Sequence, residues 1–207
     1  MPAGPLLHTV SVGVGPSALA IDPRSHQVFV VNALDASVSV LDARSGALVR
    51  TVVVGRGPSA VAVDEADGRV VVTTADDAHV SILDASSWQV LHTIPVGRGP
   101  TAVAVDARRH HAFIVNHGDN SVSVLDARSG VVVRTIAVGR FPVAVAVDAP
   151  TNRAFVLNSI GTLVARDKWW QARWPQALRR WLPWLPQQPA PTHTVPGSVT
   201  VLDLARL

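Results

Sequence analysis

The chain contains no cysteine and no tyrosine. The first absence removes disulfides, thiolate metal sites and cysteine nucleophiles, and it leaves the redox setting of the protein open. Charge is also scarce, 16% of residues against 48% hydrophobic, a balance that favours a packed core over disorder. No apolar run approaches the ~18 residues of a membrane span. The opening MPAGPLLHTV has neither a basic start nor a long apolar stretch, so it does not read as a signal peptide. Net positive charge is missing from most of the chain. Residues 159–197 hold Arg166, Lys168, Arg173, Arg179 and Arg180 against Asp167, a net +4, whereas the whole chain is only +3. A nucleic-acid surface would need a basic stripe along the fold, and no specific nucleic acid is expected. Familiar catalytic signatures are lacking too: there is no HExxH, GxSxG, P-loop or C-x-x-C. The glycine-rich loops lead into strands rather than helices, so they are not dinucleotide fingerprints.

What the chain does have is a repeat. Thr9–Arg50 recurs from Thr51, Thr93 and Thr135, a period of 42, and Thr9–Arg50 agrees with Thr93–Arg134 at 26 of 42 positions. A period in the forties built from short strands is the signature of propeller blades. Strand A is expected at 17–22, 59–64, 101–106 and 143–148. Strand B falls at 27–32, 69–74, 111–116 and 153–158, and strand C at 37–42, 79–84, 121–126 and 198–203. Strand D falls at 47–54, 89–96 and 131–138. All are Val-rich and bounded by Gly, Pro, Asp or Asn. The apolar character on both faces suits sheets covered by neighbours, and the short connections imply antiparallel meanders.

The punctuation has structural work to do. Asp22, Asp64, Asp106 and Asp148 end strand A, and Asp42, Asp84, Asp126 and Asp203 end strand C. An aspartate before a turn bonds its own downstream backbone N–H groups, so these are read as turn residues rather than a carboxylate ring. Gly46 and Gly130 suit the left-handed position of the C–D hairpin. Trp88 occupies that place in the second repeat, where a different hairpin is expected. His110 and His111 are placed in an exposed A–B turn. The D–A loops carry Arg56, Arg98 and Arg140 on the same face as the B–C loops, with Phe141 replacing the second glycine in the last repeat. These channel-mouth residues could hold an anion or simply be solvated.

Val-Gly-Arg-Gly-Pro, Ala-Val-Ala-Val-Asp, Phe-Val-Val-Asn and Ser-Val-Ser-Val-Leu-Asp at period 42 resemble the YVTN-type, or YncE-like, β-propeller repeat family. The likeness covers nearly all of 6–158 and 196–207. The Tyr-Val-Thr-Asn motif reads here Phe29-Val30-Val31-Asn32, Val71-Val72-Thr73-Thr74, Phe113-Ile114-Val115-Asn116 and Phe155-Val156-Leu157-Asn158. The resemblance implies a propeller binding module of the extracellular space, periplasm or cell surface, although this sequence shows no signal peptide.

The expected fold is therefore an all-β β-propeller of four 42-residue, four-stranded blades forming a single domain over 1–207. Its repeats are 9–50, 51–92, 93–134 and 135–207, and residues 6–12 complete the last blade by strand exchange. That exchange closes either one chain into a four-bladed ring or two chains into an eight-bladed homodimer; a fragment of a longer array is the third possibility. The last blade also holds an insertion, 159–197, with five of the chain's six tryptophans. Its spacing suggests short helices and then a proline-rich extended return. Trp169, Trp170, Arg173, Trp174, Arg179, Arg180, Trp181 and Trp184 are the candidate partner-binding residues. The segment fits a lid over the disc face, an anionic-membrane contact through 166–186, or a docking surface for an unknown protein or surface ligand. Function is expected to be that of a non-catalytic binding scaffold using the D–A/B–C loop face and this insertion, with no catalytic residues, metal or cofactor. The alternatives are a propeller enzyme (a hydrolase or a quinone- or metal-dependent oxidoreductase) and a membrane-surface module.

Overall fold

The computed structural model describes residues 9–160 and 197–206. They form four antiparallel sheets, each a meander whose strands pair in chain order. The first sheet holds β1 (Pro16–Asp22), β2 (Gln27–Asn32), β3 (Ser37–Asp42) and β4 (Leu48–Val53). The second holds β5 (Pro58–Asp64), β6 (Arg69–Thr74), β7 (His79–Asp84) and β8 (Val90–Pro95). The third holds β9 (Pro100–Asp106), β10 (His111–Asn116), β11 (Ser121–Asp126) and β12 (Val131–Ala137). The fourth holds β13 (Arg140–Asp148), β14 (Arg153–Ile160) and β15 (Ser198–Asp203). Single 3-10 turns at His117–Asp119 and Leu204–Arg206 are the only helical pieces among the described residues.

The strands fall where the valine-rich runs predict. In every sheet the pairing of the first two strands shifts beside the opening proline: Pro16, Pro58, Pro100 and Pro142. Proline cannot donate to the ladder, so the bulge sits where a donor is missing. The fourth sheet departs from the others because β13 begins early and Arg140 pairs with Ile160. Over residues 9–12 no strand forms, and β15 pairs only with β14 among the described residues. The rest of the expected closing segment, 6–8, and the core of the insertion, 161–196, lie outside the described residues.

Three hydrophobic cores lie between successive sheets. Phe29, Val31, Val38 and Val40 of the first sheet meet Val61, Val70, Val72, Leu83 and Ala85 of the second. Val71, Val80 and Ile82 then meet Ala112, Ile114, Leu125 and Ala127. Phe113, Val115, Val122 and Val124 meet Ala154, Val156, Leu202 and Leu204. The inner strands β1, β5, β9 and β13 contact one another in that order. The second and third sheets thus bury both faces by having two neighbours, which explains why their strands are apolar on both sides.

The turns follow the expected aspartate logic. Asp22, Asp64 and Asp106 accept from the backbone N–H two residues on, at 3.0–3.1 Å. Asp42, Asp84 and Asp126 each accept from two successive backbone N–H groups. The second hairpin does not differ from its equivalents, contrary to expectation. Trp88 takes φ 59°, beside φ 70° at Gly46 and 69° at Gly130. Its N–H closes the same turn onto Asp84 as Gly46 closes onto Asp42. A side chain in this region costs about 1–2 kcal/mol. The indole offsets that cost: it packs against the first core, donates to Gln27 Oε1 at 3.1 Å, and lies under the Arg50 guanidinium at 5.7 Å.

Candidate functional site

The D–A and B–C loops are stitched together by one contact repeated at a spacing of 21 residues. Val14 N–H donates to Asp35 Oδ2 at 2.5 Å, Arg56 N–H to Asp77 Oδ2 at 2.6 Å and Arg98 N–H to Asp119 Oδ2 at 2.7 Å. The Arg56 and Arg98 side chains donate to the same carboxylates, at 3.1 and 2.7 Å. Two of the three channel-mouth arginines therefore sit against an aspartate in their own sheet. An incoming anion would compete with that carboxylate.

Arg140 is placed differently. In the sequence, Gly161 stands 42 residues after Asp119, where a clamping aspartate would recur. Phe141 N–H donates backwards instead, to Asn120 Oδ1 of the third sheet at 2.7 Å. The Phe141 ring stands 5.4 Å from the His117 ring, and the Arg140 guanidinium lies 5.6 Å from its centroid. His117 Nδ1 is 3.0 Å from the Pro142 carbonyl oxygen, and Ser159 Oγ donates to the Phe141 carbonyl at 2.9 Å. Phe141 remains 37% exposed. The outcome is an aromatic and cationic corner between the third and fourth sheets, at the strand end where residues 161–196 leave. His117 was not foreseen as part of it. The candidate partner-binding residues Trp169, Trp170, Arg173, Trp174, Arg179, Arg180, Trp181 and Trp184 lie outside the described residues.

Beneath these loops lies a buried amide row. Asn32 Nδ2 donates to Ser37 and Ser39, and Asn116 Nδ2 to Ser121 and Ser123, all at 2.9–3.0 Å. Asn158 makes the corresponding bonds to Ser198 and Thr200. Each amide presses against the first glycine of the D–A loop above it. A Cβ on Gly13, Gly97 or Gly139 would lie 2.5–2.6 Å from that asparagine.

The opposite loop face carries a cluster that sequence reading missed. His110 Nδ1 lies 2.9 Å from Asp64 Oδ2 and 2.8 Å from Asp67 Oδ2. Three potential metal-ligand atoms there fall within 4.8 Å of one another. Arg128, however, engages both Asp67 oxygens, supplying a positive charge where a cation would have to bind. The cluster is a clasp between the second and third sheets. His110 does lie in the A–B turn, but it is half-buried rather than exposed, because this pairing draws it against the preceding sheet. The only signal was the 46-residue separation of Asp64 and His110, which no local motif marks. Ser59, on an inner strand, bonds Thr73 Oγ1 at 2.8 Å and the Pro100 carbonyl at 2.7 Å.

Several carboxylates here hold their protons weakly. Asp77 and Asp119 lie below the ordinary 3.8 mainly through the backbone N–H of Arg56 and Arg98. Asp67 does so through its bond from Arg128, and Asp84 and Asp126 through the N–H groups of Ser87 and Ser129. Groups with depressed folded values stabilise the fold fully above their unfolded pKa and lose that contribution as pH falls through the folded value. Melting temperature should therefore drop steeply below about pH 4, and less steeply in Asp119→Asn. Carboxylate NMR titration checks the cause; an Asp119 midpoint at or above 3.8 would contradict it.

No family model and no curated protein sequence matches the chain. Solved structures do. Hydrazine synthase of Kuenenia stuttgartiensis is 23% identical with TM-score 0.67, over 73% of this chain and 44% of that one. A structure titled U3-55K is 16% identical with TM-score 0.64, over 73% and 48%. A functionally unknown protein from Desulfotomaculum acetoxidans DSM 771 is 13% identical with TM-score 0.62, over 70% and 49%. The chain thus spans about half the length of the structures it matches. At these identities the likeness concerns fold alone, and with the four stacked meanders it makes this an all-β, propeller-like repeat fold.

Proposed function

We propose that the chain is a non-catalytic, four-bladed repeat scaffold of the YVTN type that binds a partner protein through its D–A/B–C loop face. The observation that carries this reading is the break in the repeat. Every other B–C loop is short and clamped, whereas the fourth opens after Ile160, returns at Gly197, and takes up five tryptophans and a net +4. Tryptophan and arginine are the residues that most often anchor protein interfaces. The corner of Arg140, Phe141 and His117 at its base offers the same aromatic and cationic chemistry, and the partly exposed Phe141 ring extends the surface.

The test is a deletion of 162–194, with Trp174→Ala/Trp181→Ala as the gentler variant. Both should keep the β circular-dichroism spectrum and lose the partner that the full chain retains in affinity enrichment. An unchanged set of bound proteins, or a deletion variant that unfolds, would remove the basis of the proposal. Cosedimentation of the full chain with phosphatidylserine vesicles, lost on deletion, would assign the segment to a membrane surface instead.

A further inference from the structure

The internal interfaces obey one rule. The earlier sheet presents position 3 of its second strand, position 5 as well in the first and third sheets, and positions 2 and 4 of its third. The later sheet presents positions 2 and 4 of its second strand, position 5 of its third, and two apolar residues of its first. Applied to the two outermost faces, the rule leaves one unmatched half at each end. On the fourth sheet these are Phe155, Leu157, Val199 and Val201; Val199 is 57% exposed, while its equivalent Val122 is wholly buried. On the first sheet Leu19 and Ile21 stand out; Leu19 is 64% exposed against 9% for its equivalent Val61. No packing comparable to that of β1 on β5 joins β1 to β13. The two halves are complementary, yet the described strands of one chain do not bring them together.

A polar match accompanies the apolar one. Asp64 of the second sheet meets His110 of the third. In the repeat, the counterpart of Asp64 on the fourth sheet is Asp148, and the counterpart of His110 on the first is His26. His26 holds the same left-handed backbone as His110, φ 54° beside 57°. It is exposed.

We infer that these faces are occupied by a second copy of this chain. The fourth sheet of each copy packs on the first sheet of the other, with Asp148 against His26 of the second copy. Two such contacts close the assembly around a two-fold axis, so no sheet face is left to recruit a third copy.

Sedimentation velocity tests this directly. The expected result is one species at twice 21.9 kDa. Leu19→Asp and Leu157→Asp should each give a folded monomer, since both sites are exposed within the chain. His26→Asp should weaken the dimer about tenfold, and the exchange His26→Asp with Asp148→His should restore it. A wild-type monomer at every concentration would overturn the inference, as it would if the chain's own 161–196 covered the fourth sheet. Open-ended polymers, a dimer indifferent to Leu19→Asp and Leu157→Asp, or an exchange that fails to restore association would overturn it equally.

Discussion

Phe113→Ala is expected to cost about 3–5 kcal/mol, the range for emptying a phenyl-sized site in a packed core. Phe113 is wholly buried in the core between the third and fourth sheets, with Val115, Val122, Val124 and Val156. Sheets stacked face to face through interlocked valines have little freedom to collapse into the space. Against total stabilities of about 5–15 kcal/mol, such a loss is severe. Urea unfolding measures it as a lowered midpoint with an unchanged slope. Phe113→Leu, which keeps most of the volume, should cost less than about 1.5 kcal/mol. Equal losses for the two variants would show that the core tolerates a void there and that the packing account is wrong.

Gly97→Ala is expected to destabilise by about 1–3 kcal/mol, as overpacking does elsewhere. The new methyl would meet the Asn116 side chain at 2.6 Å, and that amide cannot swing away without surrendering its bonds to Ser121 and Ser123. The cause is crowding, so relieving the crowding should remove the effect. In an Asn116→Ala background, Gly97→Ala should cost far less, giving a coupling energy within the about 0.5–3 kcal/mol seen for touching residues. Gly55→Ala is the internal control. There the neighbours are Asp77 and Thr74, and the closest approach is 3.0 Å, so the penalty should be smaller. Additive behaviour of Gly97→Ala and Asn116→Ala would refute the steric account.

These expectations show how far the sequence reaches. The 42-residue period placed the strands of the first three sheets to within a residue, because alternation and turn chemistry recur in each copy; in the fourth, β13 begins three residues early at Arg140, and no strand forms over 9–12. The aspartates that end strands were legible for the same reason: their partners lie two or three residues away. The clamp from Asp35, Asp77 and Asp119 to the loop 21 residues earlier was also present as a constant spacing, though it needs the two loops to be seen side by side. Trp88 and His110 were misread because their partners lie in another sheet. Local propensity assigns a left-handed position to glycine, but contacts with Gln27 and Arg50 pull tryptophan into it. His110 belongs to a turn by sequence and to the neighbouring sheet by contact. The aromatic corner at Phe141 was half legible. The missing glycine was plain; the reversed bond needs Asn120, which stands where the first two repeats have Ala36 and Ala78, and a partner in the next sheet that no local motif marks.

The stacking of inner strands in chain order, β1 on β5, β5 on β9 and β9 on β13, also governs how the molecule assembles itself. Each of the first three sheets is a local meander, and each interface joins sheets adjacent in sequence. Loop-closure entropy is therefore paid in small instalments rather than in one long-range step. Stability in such an array is close to a sum of unit terms and nearest-neighbour couplings. Folding that starts in any pair of sheets has a surface on which the next can form. Among the described strands, only β15, which pairs with β14 across residues 161–196, has to wait for a distant part of the chain.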